Sequence, residues 1–248
     1  MTLENLLSSI FELGYRHRVV ASAESQAIIG FDKATGQERW RQEAEGLDGM
    51  WGTPALVKVG VDRTDLVMCV AKELWGLDPD SGKVRWFANA TGAEHAYSSV
   101  ITDADRVFAF TGRGGGSVAV KAGGSGDVSD SSILWTGNEN ASFSLPVRYK
   151  SNLYVDSQGM ITIVDSQSGA TLDQIRLQGA ERTGGRFGSL DYASPIVVGD
   201  RLMYLNGSAH ARRVSSWGGG RPGGGGLGND GRSEDTRPDR PQRPATAG

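Results

Sequence analysis

The amino-acid sequence predicts an all-β chain, an incomplete β-propeller of four-stranded antiparallel blades, four to five of which are legible. Three observations carry this. The chain repeats itself at about 45 residues, each copy holds the same tight-turn motif, and short apolar or alternating runs flank every turn. No window of the repeat region keeps a 3.6-residue period, which excludes a helical solenoid.

The turn motif reads Asp-x-x-Ser/Thr-Gly. It occurs at Asp32, Thr35 and Gly36, followed by Trp40, and again at Asp78, Ser81 and Gly82, followed by Trp86. A third, expanded copy keeps Ala119, Gly126 and Trp135 but has Lys121 for Asp, and a fourth keeps Asp165 and Gly169 with Asp173 in place of Trp. The turn glycines 36, 82, 126 and 169 recur at blade spacing. Asp can accept hydrogen bonds from the backbone just after it and Gly can take positive φ, so each motif predicts a tight hairpin. Ahead of each hairpin lies another pair of runs: 54–59 with 66–70, 99–102 with 106–111, and 145–148 with 152–156. A fifth pair, 194–198 with 201–205, is joined by Gly199-Asp200, a two-residue hairpin signal.

The organisation this gives is an N-terminal extension over 1–18 with a short helix over 3–13, repeats over 19–207, and a Gly/Arg/Pro-rich tail over 208–248. The first blade opens part-way, at Val19. From 209 onward only Val214 and Leu227 are aliphatic residues larger than Ala. A segment so poor in apolar side chains cannot build a core and is expected to be disordered. It is read either as the product of a shifted reading frame or as a genuine Arg/Gly arm.

These repeats resemble the pyrroloquinoline-quinone (PQQ)-type propeller repeat of quinoprotein alcohol dehydrogenases and BamB-like assembly factors, whose blades end in Ala-x-Asp-x-x-Thr-Gly-x-x-x-Trp. Gly30 and Gly76 stand where that pattern has Ala. The resemblance spans residues 19–206. It implies that Trp40, Trp86 and Trp135 dock between neighbouring blades, with Gly36, Gly82, Gly169, Asp32, Asp78 and Asp165 shaping the turns they meet. It also leaves two functions open: a non-catalytic scaffold binding a protein or small ligand, or a fragment of a PQQ- and calcium-dependent dehydrogenase whose catalytic blades lie elsewhere.

Other chemistry finds little support. One cysteine, Cys69, excludes both an intramolecular disulfide and a vicinal cysteine pair. His17, His95 and His210 lack zinc-ligand spacing. Residues 112–117 lack the Lys-Ser/Thr of a phosphate loop, and Ser125 lacks the second glycine of a nucleophile elbow. A net charge of −3 argues against DNA, and no apolar run is long enough to cross a membrane. No cofactor is expected, and the protein is expected to be a monomer. Residues 1–18 lack a signal-peptide pattern, so the chain reads as cytoplasmic, although the family it resembles is often exported to the periplasm. The loops leading into the blades carry Trp51, His95, Tyr97, Phe143 and Tyr192, the candidate ligand-facing residues.

Overall fold

The computed structural model describes residues 9–11, 17–22, 26–176 except 45–46, 48–49, 113, 142 and 158, then 194–199, 201–205 and 211–214. Five antiparallel sheets follow one another along the chain. Blade 1 comprises β1 (Ser9–Phe11), β2 (His17–Ser22), β3 (Ala27–Asp32) and β4 (Glu38–Glu43). Blade 2 comprises β5 (Ala55–Val59), β6 (Arg63–Cys69), β7 (Glu73–Leu77) and β8 (Val84–Asn89). Blade 3 holds β9 (Ile101–Asp103), β10 (Arg106–Phe110), β11 (Ser117–Lys121) and, after an insertion carrying β12 (Gly126–Asp127) and the single-turn helix α1 (Ser129–Ser132), β13 (Ile133–Gly137). Blade 4 is β14 (Val147–Tyr149), β15 (Asn152–Ser157), β16 (Met160–Asp165) and β17 (Thr171–Arg176). Blade 5 shows β18 (Ile196–Val198), β19 (Arg201–Leu205) and β20 (Ala211–Val214). Among the described residues no strand pairing links blade 5 to blade 1.

Within each blade the strands run in chain order from inner to outer edge. The long loops between blades and the turns between second and third strands therefore share one end, the loop face. The remaining hairpins share the other end, the hairpin face.

Two sequence expectations need correction, and a third needs a narrower bound. The expected helix over 3–13 is partly strand: β1 pairs with β2, Ile10 opposite Val20, and completes the first blade. Residues 1–8 and 12–16 lie outside the described residues. β20 takes the first part of the segment expected to be disordered into blade 5, pairing with β19, Met203 opposite Arg213, and residues 215–248 lie outside the described residues. In both places a neighbouring strand edge supplies backbone partners that composition does not reveal. Gly126 is not a turn glycine but part of β12, which leaves its own blade and pairs in parallel with β8, Gly126 opposite Trp86 and Asp127 opposite Phe87.

The hairpins take their shape from Asp and Gly. Asp32 Oδ1 accepts hydrogen bonds from the Ala34 and Thr35 amides and the Thr35 hydroxyl, and the Gly36 amide donates to the Asp32 carbonyl. Asp165 repeats this with Gln167, Ser168 and Gly169. Gly36, Gly82 and Gly169 have φ of 71°, 71° and 72°. After each of the first two turns a bulge leaves one extra residue on the outer strand, Arg39 and Arg85, which pairs with the turn Asp at 2.9 and 2.8 Å.

The bulge aims the next residue, Trp, across the sheet. Trp40 lies over Gly30 of its own blade and against Gly82 of the next, and its Nε1 donates to the Pro79 carbonyl at 3.2 Å. Trp135 packs against Gly169, and its Nε1 donates to the Ser166 carbonyl at 3.2 Å. Where the insertion replaces the turn of blade 3, Trp86 finds another acceptor and donates to Asp65 Oδ2 at 2.7 Å. Asp65 is fully buried and also accepts from Arg63 Nε and Nη2 and from Arg85 Nη1. Apolar clusters then join the blades: Ile28, Leu66, Leu77 and Val118 over blades 1 to 3, Phe108, Leu153 and Val164 over 3 and 4, and Tyr154, Ile161, Leu202 and Tyr204 over 4 and 5.

Two predictions follow from this packing. Gly36 and Gly82 have the same φ, yet a Cβ at Gly82 would fall 2.5 Å from the Trp40 ring while one at Gly36 meets nothing within 4 Å. Gly36→Ala should then cost only the left-handed backbone, about 1 kcal/mol, and Gly82→Ala about 2–4 kcal/mol, read from urea unfolding. Burial alone would raise the Asp65 carboxyl, but hydrogen bonds from Arg63, Trp86 and Arg85 outweigh it and hold it below the ordinary carboxylate range. A lowered folded value stabilises the protein above the unfolded pKa of about 4 and ceases to do so as pH falls through the lowered value. Asp65→Asn should cost about 3 kcal/mol at neutral pH, and the gap from the parent should narrow below about pH 4 in denaturation series.

Candidate functional site

The loop face is assembled by hydrogen bonds that repeat from blade to blade. The Trp51 amide donates to the Ala96 carbonyl at 2.9 Å, and the Thr53 amide donates to Ser99 Oγ at 2.8 Å. One blade on, Ser98 Oγ donates to the Ser144 carbonyl at 3.1 Å; one further, the Leu145 amide donates to Ser194 Oγ at 2.8 Å. Gly52 is needed where this loop crosses the next, because a Cβ there would fall 2.6 Å from the Ser98 carbonyl oxygen.

This ladder sets three aromatic rings side by side. Trp51, Tyr97 and Phe143 occupy the same point of successive repeats, 46 residues apart each time. Their ring centroids stand 5.0 Å (Trp51 to Tyr97) and 4.8 Å (Tyr97 to Phe143) apart, tilted by 33° and 37°, within the offset-stacking range. His95 stacks on Tyr97 at 5.8 Å and meets Trp51 edge-on at 6.1 Å. Tyr97 lies against Gly112, where a Cβ would collide with its ring. Tyr97 and Phe143 are half-buried, His95 is exposed, and Trp51 is 46% exposed. Beside them Lys72 Nζ and Glu94 Oε1 form an exposed ion pair at 2.8 Å, and the Lys72 hydrogen bond holds the Glu94 carboxyl below its usual range.

The structure thus gathers four of the five candidate ligand-facing residues, and Tyr192 lies outside the described residues. The turn residues Asp32, Asp78, Asp165, Gly36, Gly82 and Gly169 sit at the opposite end, on the hairpin face, and Trp40, Trp86 and Trp135 lie in the sheets between. Sequence reasoning missed Asp65 and its two arginines. Their one signal was an acidic residue directly ahead of the apolar run Leu66–Cys69 in β6.

Chemically, the loop face offers stacking, an imidazole and a charged rim. Cys69 is buried, and burial pushes its thiol up to about 12, so it is no nucleophile at neutral pH. A calcium site of the quinoprotein kind needs converging oxygen ligands. Among the described residues no three His, Cys, Asp or Glu side chains converge on one point. Among the same residues no helix is long and apolar enough to cross a membrane.

Solved structures similar to this chain include BamB from Moraxella catarrhalis, with a TM-score of 0.59, 16% identity, and 84% of this chain and 60% of BamB covered. The computationally designed Ika8 protein matches with a TM-score of 0.58 and 9% identity, over 83% of this chain and 57% of Ika8. The quinohemoprotein alcohol dehydrogenase of Comamonas testosteroni matches with a TM-score of 0.54 and 13% identity, over 77% of this chain and 42% of the enzyme. At these identities the likeness establishes the fold, and the chain spans about three-fifths of the BamB it matches. No curated protein matches significantly. The family model described as outer membrane protein assembly factor BamB matches residues 12–175, about two-thirds of the chain. The chain belongs to that PQQ-like repeat family.

Proposed function

We propose that this chain is a non-catalytic binding scaffold that works without a cofactor and receives a protein partner on its loop face. The observation that carries the reading is the row Trp51, Tyr97 and Phe143, one ring per blade, with His95 against it and Trp51 left 46% exposed. A large ring held rigidly by its neighbours loses little freedom on binding, and Trp and Tyr dominate the energetic centres of protein interfaces. The family's description as an assembly factor is in keeping with a role in holding other polypeptides.

The test compares photo-crosslinkers placed at position 51 and at Leu172, which is 55% exposed on the outer strand of blade 4. A discrete protein adduct at 51 and not at 172 is expected. Trp51→Ala should weaken capture of that partner about 30-fold, a loss of ~2 kcal/mol. Its thermal midpoint should stay within a few degrees of the parent, because a half-exposed ring contributes modestly to folding. Equal labelling at both positions would defeat the reading.

A further inference from the structure

One pair of positions recurs where the first strand of a blade meets the second. It holds Ala55 opposite Val67, Ile101 opposite Phe108, Val147 opposite Tyr154 and Ile196 opposite Met203. In blades 2 and 3 the second-strand member shares its side of the sheet with the tryptophan, Val67 with Trp86 and Phe108 with Trp135. Each pair thus faces the following blade, and in blade 4 Val147 and Tyr154 meet Leu202 and Tyr204 of blade 5 in the same way. Val67 and Phe108 are fully buried and Tyr154 is 5% exposed, but Met203 breaks the series at 37%.

Alternation places the rest of that surface. Val197, Leu202 and Tyr204 turn toward blade 4 and join its apolar cluster, so Ile196, Val198 and Met203 turn the other way. Ile196 and Val198 are 55% and 52% exposed, which leaves a surface built like each earlier joint open to solvent. The sequence beyond Val214 is too poor to cover it. Apart from prolines, Trp217 and Leu227 are the only apolar residues there larger than Ala. Nor does blade 1 offer a mate. Ile28 and Gly30 face blade 2, and on the other side of the same strand Ala27 and Ile29 are already 0% and 9% exposed.

We propose that this face of blade 5 is where the chain meets a second copy of itself, blade 5 against blade 5 about a two-fold axis. In such a contact one patch serves both partners and has to suit itself. An apolar row does so, since Ile196, Val198 and Met203 of one copy pack on those of the other without setting like charges together. Arg201, opposite Val198, closes the patch at the hairpin end, where its long stem can carry the charge to the rim. The contact joins two chains and stops, because head-to-tail growth would need the covered face of blade 1. It replaces the monomer expected from the sequence and makes no use of the aromatic row.

Sedimentation equilibrium of the full chain over a wide concentration range should show monomer and dimer and nothing larger. Met203→Glu should weaken the dimer about tenfold or more, because each dimer would bury two unpaired carboxylates. Leu172→Glu, 55% exposed on β17, and Trp51→Ala should leave it unaltered, with circular dichroism checking that each variant folds. Cys69 is the sole cysteine and is buried, so Val198→Cys supplies one accessible thiol. A short bis-maleimide should link that thiol to its counterpart in the second copy and should not link Leu172→Cys. Should Met203→Glu fail to fold, this crosslink decides. A monomer at every concentration would overturn the proposal, as would a dimer indifferent to Met203→Glu, growth beyond the dimer, or no crosslink at position 198.

Discussion

A four-stranded blade has two faces and no interior of its own, so everything here depends on how one sheet is held against the next. The constraint that settles it is the absence of a side chain at a few glycines. Trp40 can reach blade 2 only because Gly30 lets the indole cross its own sheet and Gly82 receives it beyond. The tight turn supplies that second glycine, and the bulge before Trp supplies the aim. One short motif therefore closes a hairpin, orients a ring and forms the joint between blades. Blade 4 has Asp173 where the others have Trp, and there the joint to blade 5 rests on Tyr154, Ile161, Leu202 and Tyr204 instead.

The loop face follows from the same repetition. Repeats that place a hydroxyl at matching positions produce a ladder of hydrogen bonds between successive loops, and repeats that place a ring there produce a stack. Neither needs separate design, because each blade is rotated about a common axis and brings the same position beside its predecessor. Identity can then vary freely along the row, Trp, Tyr and Phe in turn, while the geometry is kept. Such a surface can change its recognition properties without disturbing the sheets that carry it.

Much of this was legible in the sequence because it is periodic. The turn residues, the blade spacing, most strand pairs and the candidate row on the loop face all come from comparing one copy with the next. What was not legible is what each copy does alone. Asp65 takes over as the acceptor for Trp86 only because the neighbouring turn is missing, a substitution across blades that no local pattern records. β1 and β20 read as a helix and a disordered tail because their strand character comes from an adjacent edge rather than from their own residues. The insertion in repeat 3 was visible, but the destination of its strand β12, the outer edge of the preceding blade, depends on a parallel pairing that alternation cannot signal.

That pairing also alters how the molecule comes apart. In a simple array each repeat touches its neighbours through side chains, and the ends can fray one unit at a time. Here a segment covalently part of repeat 3 adds backbone pairing to the outer edge of repeat 2 at Trp86 and Phe87, so opening either sheet disturbs an edge the two share. A backbone tie of this kind favours the opening of blades 2 and 3 together over the loss of either one alone.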